Sequence, residues 1–138
     1  MSQRQAIYRT EQEFGVLPGL SPDRVSLRLP IPPSANRYWR SANNRVYVSQ
    51  EAQDYKQLVR LLCGQVDPLS GNVAVSFTVY RARKAGDLDN FVKVLIDSLR
   101  GILYPDDNVI VEIHATRKDD KENPRVMLTA WRCDGKFR

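Results

Sequence analysis

The sequence predicts an α+β single domain, a mixed β-sheet with two main helices packed on it. Three observations lead there. Apolar residues alternate with polar ones in several short runs, the period of half-buried strands. Two other segments repeat apolar residues at three- and four-residue spacing, the period of helices packed on a core. The chain of 138 residues has no internal repeat or low-complexity tract, and that length buries a core without disulfides or structural metal.

Residues 1–23 contain Pro18, Gly19 and Pro22 and show no sustained period, so they read as a loosely ordered N-terminal arm before a single domain at 24–138. Val25, Leu27 and Leu29 alternate as a first strand that prolines end. The following SANRYWRSANNRVYVSQ reads as a loop or hairpin with an Asn-Asn turn. Its mixture of Asn36, Arg37, Tyr38, Trp39, Arg40 and Arg45 can hold phosphates and stack on bases, or Tyr38 and Trp39 can pack on the core. Ser49 is placed to cap a helix with an apolar stripe of Tyr55, Leu58, Leu61 and Leu62, ending at Gly64. Val73, Val75, Phe77 and Val79 form a second core strand, closed by the cations Arg81, Arg83 and Lys84. Leu88, Val92, Leu95, Ile96, Leu99 and Leu103 stripe a second helix, whose other side carries Asp89, Lys93, Asp97 and Arg100. After Tyr104 and Pro105, Val109, Val111, Ile113 and Ala115 read as a third core strand. A charged hairpin loop, KDDKENP, leads into a last strand, RVMLTAWR. The expected order is strand, hairpin, helix, strand, helix, strand, strand.

The formal charge of +5 and pI near 9.4 favour an anionic partner, of which nucleic acid is the commonest. No apolar run approaches the roughly 18 residues that a membrane span needs, and the N-terminus lacks the apolar core of a secretory signal. A cytoplasmic protein is expected. Cys63 and Cys133 have no metal-binding spacing and read as buried small hydrophobes.

Against this basic background, GDLDNFVKVLIDSLRGILYPDDN gathers acids at both ends of one helix. Asp87 and Asp89 converge only if Asp87 is extended and Asp89 starts the helix, because helical positions two apart diverge. Both then lie at the positive end of the helix dipole, with Lys93 one turn on. A strand running back along the helix is expected to return Asp106 and Asp107 toward them, one of the pair serving as a ligand. Capping at one end and turn chemistry at the other are the plainer roles for the same residues. An EF-hand is excluded, since Val92 stands where that loop needs glycine. Oxygen-only ligands favour Mg²⁺ or Mn²⁺ over zinc. His114, the sole histidine, has outward strand parity and is left out of the site, and Asp97 is expected to pair with Lys93 and Arg100.

GDLDNFVKVLIDSLRGILYPDD closely resembles the signature of the RusA-like Holliday junction resolvases, crossover junction endodeoxyribonucleases often carried by prophages. The likeness includes LPIPPSANRYWR and VYVSQEAQDYK upstream and covers about four fifths of the chain, from Val25 to Trp131. It implies a homodimer that binds branched DNA, a four-way junction, and makes paired symmetric cuts with Mg²⁺, for which Mn²⁺ can substitute. Carried over by motif, Asp87, Asp89 and Asp107 are the metal-binding catalytic acids, Lys93 the catalytic lysine and Asp106 a lesser candidate ligand. Asn36, Arg37, Tyr38, Trp39, Arg40, Arg45, Arg83 and Lys84 are the candidate DNA contacts. The family often has a cation immediately before the first aspartate, where this chain has Gly86. Two other readings remain at this point: a non-catalytic basic nucleic-acid-binding module, and a metal nuclease acting on other branched DNA.

Overall fold

Alternation in three strands puts Val25, Leu27, Leu29, Val73, Val75, Phe77, Val79, Val126 and Leu128 on one sheet face, each at most 2% exposed. Tyr55 and Val59 from one helix and Leu95 and Leu99 from another close over that face. The computed structural model describes residues 13–64, 66–82 and 86–133. Within them the elements are β1 (Gly15–Val16), β2 (Arg24–Leu29), α1 (Ala35–Tyr38), β3 (Trp39–Ala42), β4 (Arg45–Val48), α2 (Gln50–Cys63), β5 (Asn72–Arg81), α3 (Leu88–Leu99), β6 (Ile110–Asp119) and β7 (Arg125–Cys133). A five-stranded sheet runs β1-β2-β7-β5-β6, and β3 and β4 form a separate hairpin. Pairing is antiparallel except between β5 and β6, which are parallel, so the sheet is mixed as expected. Parallel neighbours need a crossover, and α3 is that crossover.

The local signals for α2 operate as anticipated. Ser49 Oγ accepts from the Ala52 amide at 3.1 Å, and Gly64 ends the helix with φ of +59°. Cys63 and Cys133 are both buried, and burial pushes the Cys63 thiol up to about 12. No helix among the described residues is long and apolar enough to cross a membrane.

Three expectations change. The second long helix stops at Leu99 rather than Leu103, because Gly101 takes φ of +81° and its amide bonds to the Tyr104 carbonyl at 2.7 Å. Val111 and Ile113 were expected in the core but are 45% and 48% exposed. Their strand lies at the sheet edge, with β5 on one side only, and α3 does not cover it fully. Within the expected arm, Gly15 and Val16 already pair with Arg28 and Leu27, while residues 1–12 lie outside the described ones.

Candidate active site

The start of α3 is built to hold two carboxylates in the open. Asp87 is the N-cap residue, extended at φ −83° and ψ 148°, and its side chain makes no capping hydrogen bond. Asp89 is exposed in the first turn and accepts from the Asn90 amide at 3.0 Å. Lys93, also exposed, follows four residues later on the same side of the helix. Both acids therefore stand at the positive end of the helix dipole, and neither is neutralised by an internal ion pair shorter than 4 Å among the described residues.

What precedes Asp87 fixes its direction. Gly86 has φ of +91°, and a Cβ there would stand 2.9 Å from Phe91 Cζ. Phe91 is itself buried against the core, so chain and ring are packed without space for a side chain at 86. Arg81, only 7% exposed, donates from Nε to Asp119 at 2.9 Å and from its guanidinium to the Gly86 carbonyl at 3.2 Å. One buried cation thus ties the end of β5, the end of β6 and the entry to α3. Arg83 and Lys84, expected as DNA contacts, lie outside the described residues.

The second pair of acids sits elsewhere. Asp106 accepts from the Asp107 amide at 2.8 Å, and Asp107 opens a 3₁₀ turn, Asp107–Val109, that leads into β6. The parallel register aligns Val73 with Ile110 and Arg81 with Asp119. Asp107 therefore stands where β5 begins, and Asp87 follows the end of β5. A helix of 12 residues separates them, about 18 Å of axis. The strand does run back along the helix, as anticipated, but Asp107 precedes that return, so it is not brought beside Asp89 within one chain. Among the described residues no group of three or more His, Cys, Asp or Glu side chains is close enough to hold a metal ion. The chain presents two separate acid pairs, Asp87 with Asp89 beside Lys93, and Asp106 with Asp107.

Near Asp106 and Asp107, Asp97 organises a partly buried junction. The Tyr38 hydroxyl donates to it, Arg100 pairs with it at 3.1 Å and Lys56 approaches to 3.7 Å. Lys56, from α2, takes the place expected for Lys93. Burial, and then the hydrogen bond to Asp97, push the Tyr38 hydroxyl well above its ordinary range. Tyr38 is fully buried with Ala52 and Val94 and meets Trp39 edge-on at 4.6 Å between ring centroids. It is therefore an anchor of the hairpin on α3 and cannot stack on a base, which removes it from the expected DNA contacts and leaves the alternative of packing on the core.

Of the other hairpin candidates, Asn36, Arg37, Arg40 and Arg45 are exposed, and Trp39 is half-buried. Arg37 pairs with Glu51 at 3.1 Å. Asn43 and Asn44 both take positive φ, 53° and 63°, as a two-residue hairpin turn demands. The register sets Arg40 opposite Tyr47 and Ala42 opposite Arg45, so Arg40, Arg45 and Tyr47 share one face. Tyr47, half-exposed, is the aromatic that sequence reasoning missed. The signal was its period-two spacing from Arg45, which puts both on the outer face of a strand. His114 lies on the sheet face opposite the helices, stacked near Trp131 and bonded to Glu112.

The stretch that holds all these features is shared with known proteins. A family model described as endodeoxyribonuclease RusA matches residues 30–129, which include the hairpin, α3 and both acid pairs. The crossover junction endodeoxyribonuclease of Enterobacteria phage 82 is 30% identical over 108 residues, covering 75% of this chain and 90% of the relative. That of Escherichia coli K12 is 30% identical over 109 residues, with 75% and 91% covered. That of Enterobacteria phage HK97 is 38% identical over 76 residues, covering 51% and 62%. A family match across most of the chain, with relatives aligned along nine tenths of their own length, shows that the chain belongs to the RusA family of endodeoxyribonucleases.

Proposed function

We propose that this chain is a Mg²⁺-dependent, structure-selective endodeoxyribonuclease that resolves four-way Holliday junctions by paired symmetric nicks, working as a homodimer in the cytoplasm. The observation that carries the reading is the start of α3, where Asp87 makes no capping bond and stands with Asp89 and Lys93 at a positive helix end. Capping alone does not account for two exposed acids in a chain of net charge +5. The names of the relatives, crossover junction endodeoxyribonucleases, support the substrate.

Asp87 and Asp89 offer hard oxygen ligands of the kind Mg²⁺ takes, and Mn²⁺ accepts the same donors. Two acids leave the coordination incomplete. Because one protomer keeps Asp107 a helix length from Asp89, an ion held by all three takes Asp107 from a second protomer, with Asp106 beside it. When bound, the ion supplies Lewis-acid polarisation of the scissile phosphate. Lys93 brings a positive charge to the phosphate from the same face of α3. Asn36, Arg37, Arg40 and Arg45, with Arg83 and Lys84, are assigned to the DNA backbone, and Tyr47 to stacking.

Asp89→Asn removes one carboxylate charge without changing side-chain size. It should abolish nicking of a four-way junction in Mg²⁺ while a gel shift shows junction binding retained. Robust cleavage by this variant would overturn the assignment. A wild type that shifts junctions but nicks nothing is a binding module instead, and equal cutting of flap or linear duplex DNA means a nuclease of broader selectivity.

A further inference from the structure

The hairpin of β3 and β4 projects from the body of the protein. Every residue from Arg40 to Tyr47 is exposed, on both faces of the pairing. Val46, 73% exposed, is the most exposed large apolar side chain among the described residues, and Tyr47 beside it is 50% exposed. The root, by contrast, is fixed. Ser49 donates its amide to the Tyr38 carbonyl at 2.9 Å and its hydroxyl to the Arg37 carbonyl at 2.6 Å, and the Tyr38 hydroxyl is held by Asp97 of α3. Asp97 and Asp89 are about 12 Å apart along the axis of α3, so the hairpin is anchored to the same element that carries the acids.

An isolated two-stranded ribbon has little stability of its own in water, and Val46 and Tyr47 add none until something covers them. Charge says what does. No acidic residue lies between Asp23 and Glu51, while Arg40 and Arg45 share the Tyr47 face of the hairpin. A cationic frame fits phosphates, but an apolar tip finds little surface on a continuous duplex, whose base-pair faces are covered by their neighbours. At a branch point stacking is interrupted and such faces are open. Strand alternation sets Val46 and Tyr47 on opposite faces of the ribbon, so a ribbon entering the branch offers one side chain to each of the two base pairs it parts.

We propose that this hairpin is the element that selects the branch, Tyr47 and Val46 packing on the base-pair faces left open there while Arg40 and Arg45 hold the flanking phosphates. That the ligand is branched DNA rests on the nuclease reading; the choice of surface rests on the hairpin. The tip carries no carboxylate, so it selects the substrate without taking part in the cut.

Gel shifts of the full chain without divalent metal, on a four-way junction and on a linear duplex of the same length, test the assignment. Wild type should prefer the junction. Val46→Thr/Tyr47→Thr, which keeps residues that favour strands, should lower the junction-to-duplex affinity ratio about tenfold or more, with unchanged far-ultraviolet circular dichroism. Leu58→Lys/Leu61→Lys, which alters exposed apolar residues on α2 instead, should leave the ratio as in wild type. On binding wild type, a fluorescent purine analogue placed at the branch should change its emission, and the same analogue placed in the middle of an arm should not. A wild type without junction preference, a folded hairpin variant with the wild-type ratio, an α2 variant that loses it, or a branch probe that stays silent would each overturn the proposal. Nicking in Mg²⁺ is scored separately: a hairpin-dependent preference in a protein that cuts nothing defeats the nuclease reading and leaves the hairpin's role standing.

Discussion

Tyr38 shows how far one side chain's meaning depends on its surroundings. In sequence it stands among Arg37, Trp39 and Arg40 and has the chemistry of a base-stacking residue. In the fold its ring fills the space between α2 and α3, and its hydroxyl reaches Asp97, a carboxylate that Arg100 and Lys56 also approach. Tyr38→Phe keeps the ring and deletes one donor to a charged, largely buried acceptor. It should cost about 1.5–3 kcal/mol of stability, measured by urea unfolding, with junction affinity of the folded protein unchanged. A large loss of affinity without loss of stability would return Tyr38 to the DNA interface. Tyr47, with the same chemistry nine residues on, is half exposed on the hairpin face that also carries Arg40.

The element that positions Asp87 and Asp89 is the entry to α3. An amphipathic stripe of Leu88, Phe91, Leu95 and Leu99 packs the helix on the sheet, and Asp87 and Asp89 are exposed where it begins. Gly86 makes the approach possible, since its φ of +91° is one that side-chain-bearing residues rarely adopt and Phe91 occupies the space of a Cβ. Gly86→Ala should therefore destabilise the protein by at least about 1–2 kcal/mol, as a shift in urea midpoint. It should also lower cleavage more than junction binding, because the carboxylate of Asp87 is redirected while the basic hairpin is untouched. Equal losses of binding and cleavage would mean that Gly86 serves only folding.

For the whole molecule, the parallel pairing of β5 and β6 matters most. It obliges α3 to cross between them, and so assigns Asp87 and Asp89 to one end of the unit and Asp107 to the other. In the proposed homodimer a site drawing on both is shared between protomers, which a mixing experiment reads directly. Asp89→Asn and Asp107→Asn should each be inactive alone. Mixed and allowed to exchange subunits, they should recover nicking, because one of the two sites in each heterodimer combines unaltered Asp89 with unaltered Asp107. If each protomer closed its own site, every site in the mixture would stay broken and no nicks would form.

The sequence alone determined the local elements and the chemistry they carry. Periods of two and near 3.6 reveal which residues face the core, Ser49 and Gly64 bound α2, and the extended Asp87 before a helical Asp89 follows from the geometry of a DxD spacing. The acids, Lys93 and the cationic hairpin were legible as residue types at a spacing, independent of their neighbours in space. Only the tertiary structure decided which strand lies beside which, in what direction, and what is left uncovered. Alternation in β6 is the same whether the strand is central or at an edge, so the exposure of Val111 and Ile113 could not be read from it. Nor does it show whether β5 lies parallel or antiparallel beside it. Those choices are made by pairing and packing between residues far apart in the chain, and here they separate Asp107 from Asp89 by the length of α3.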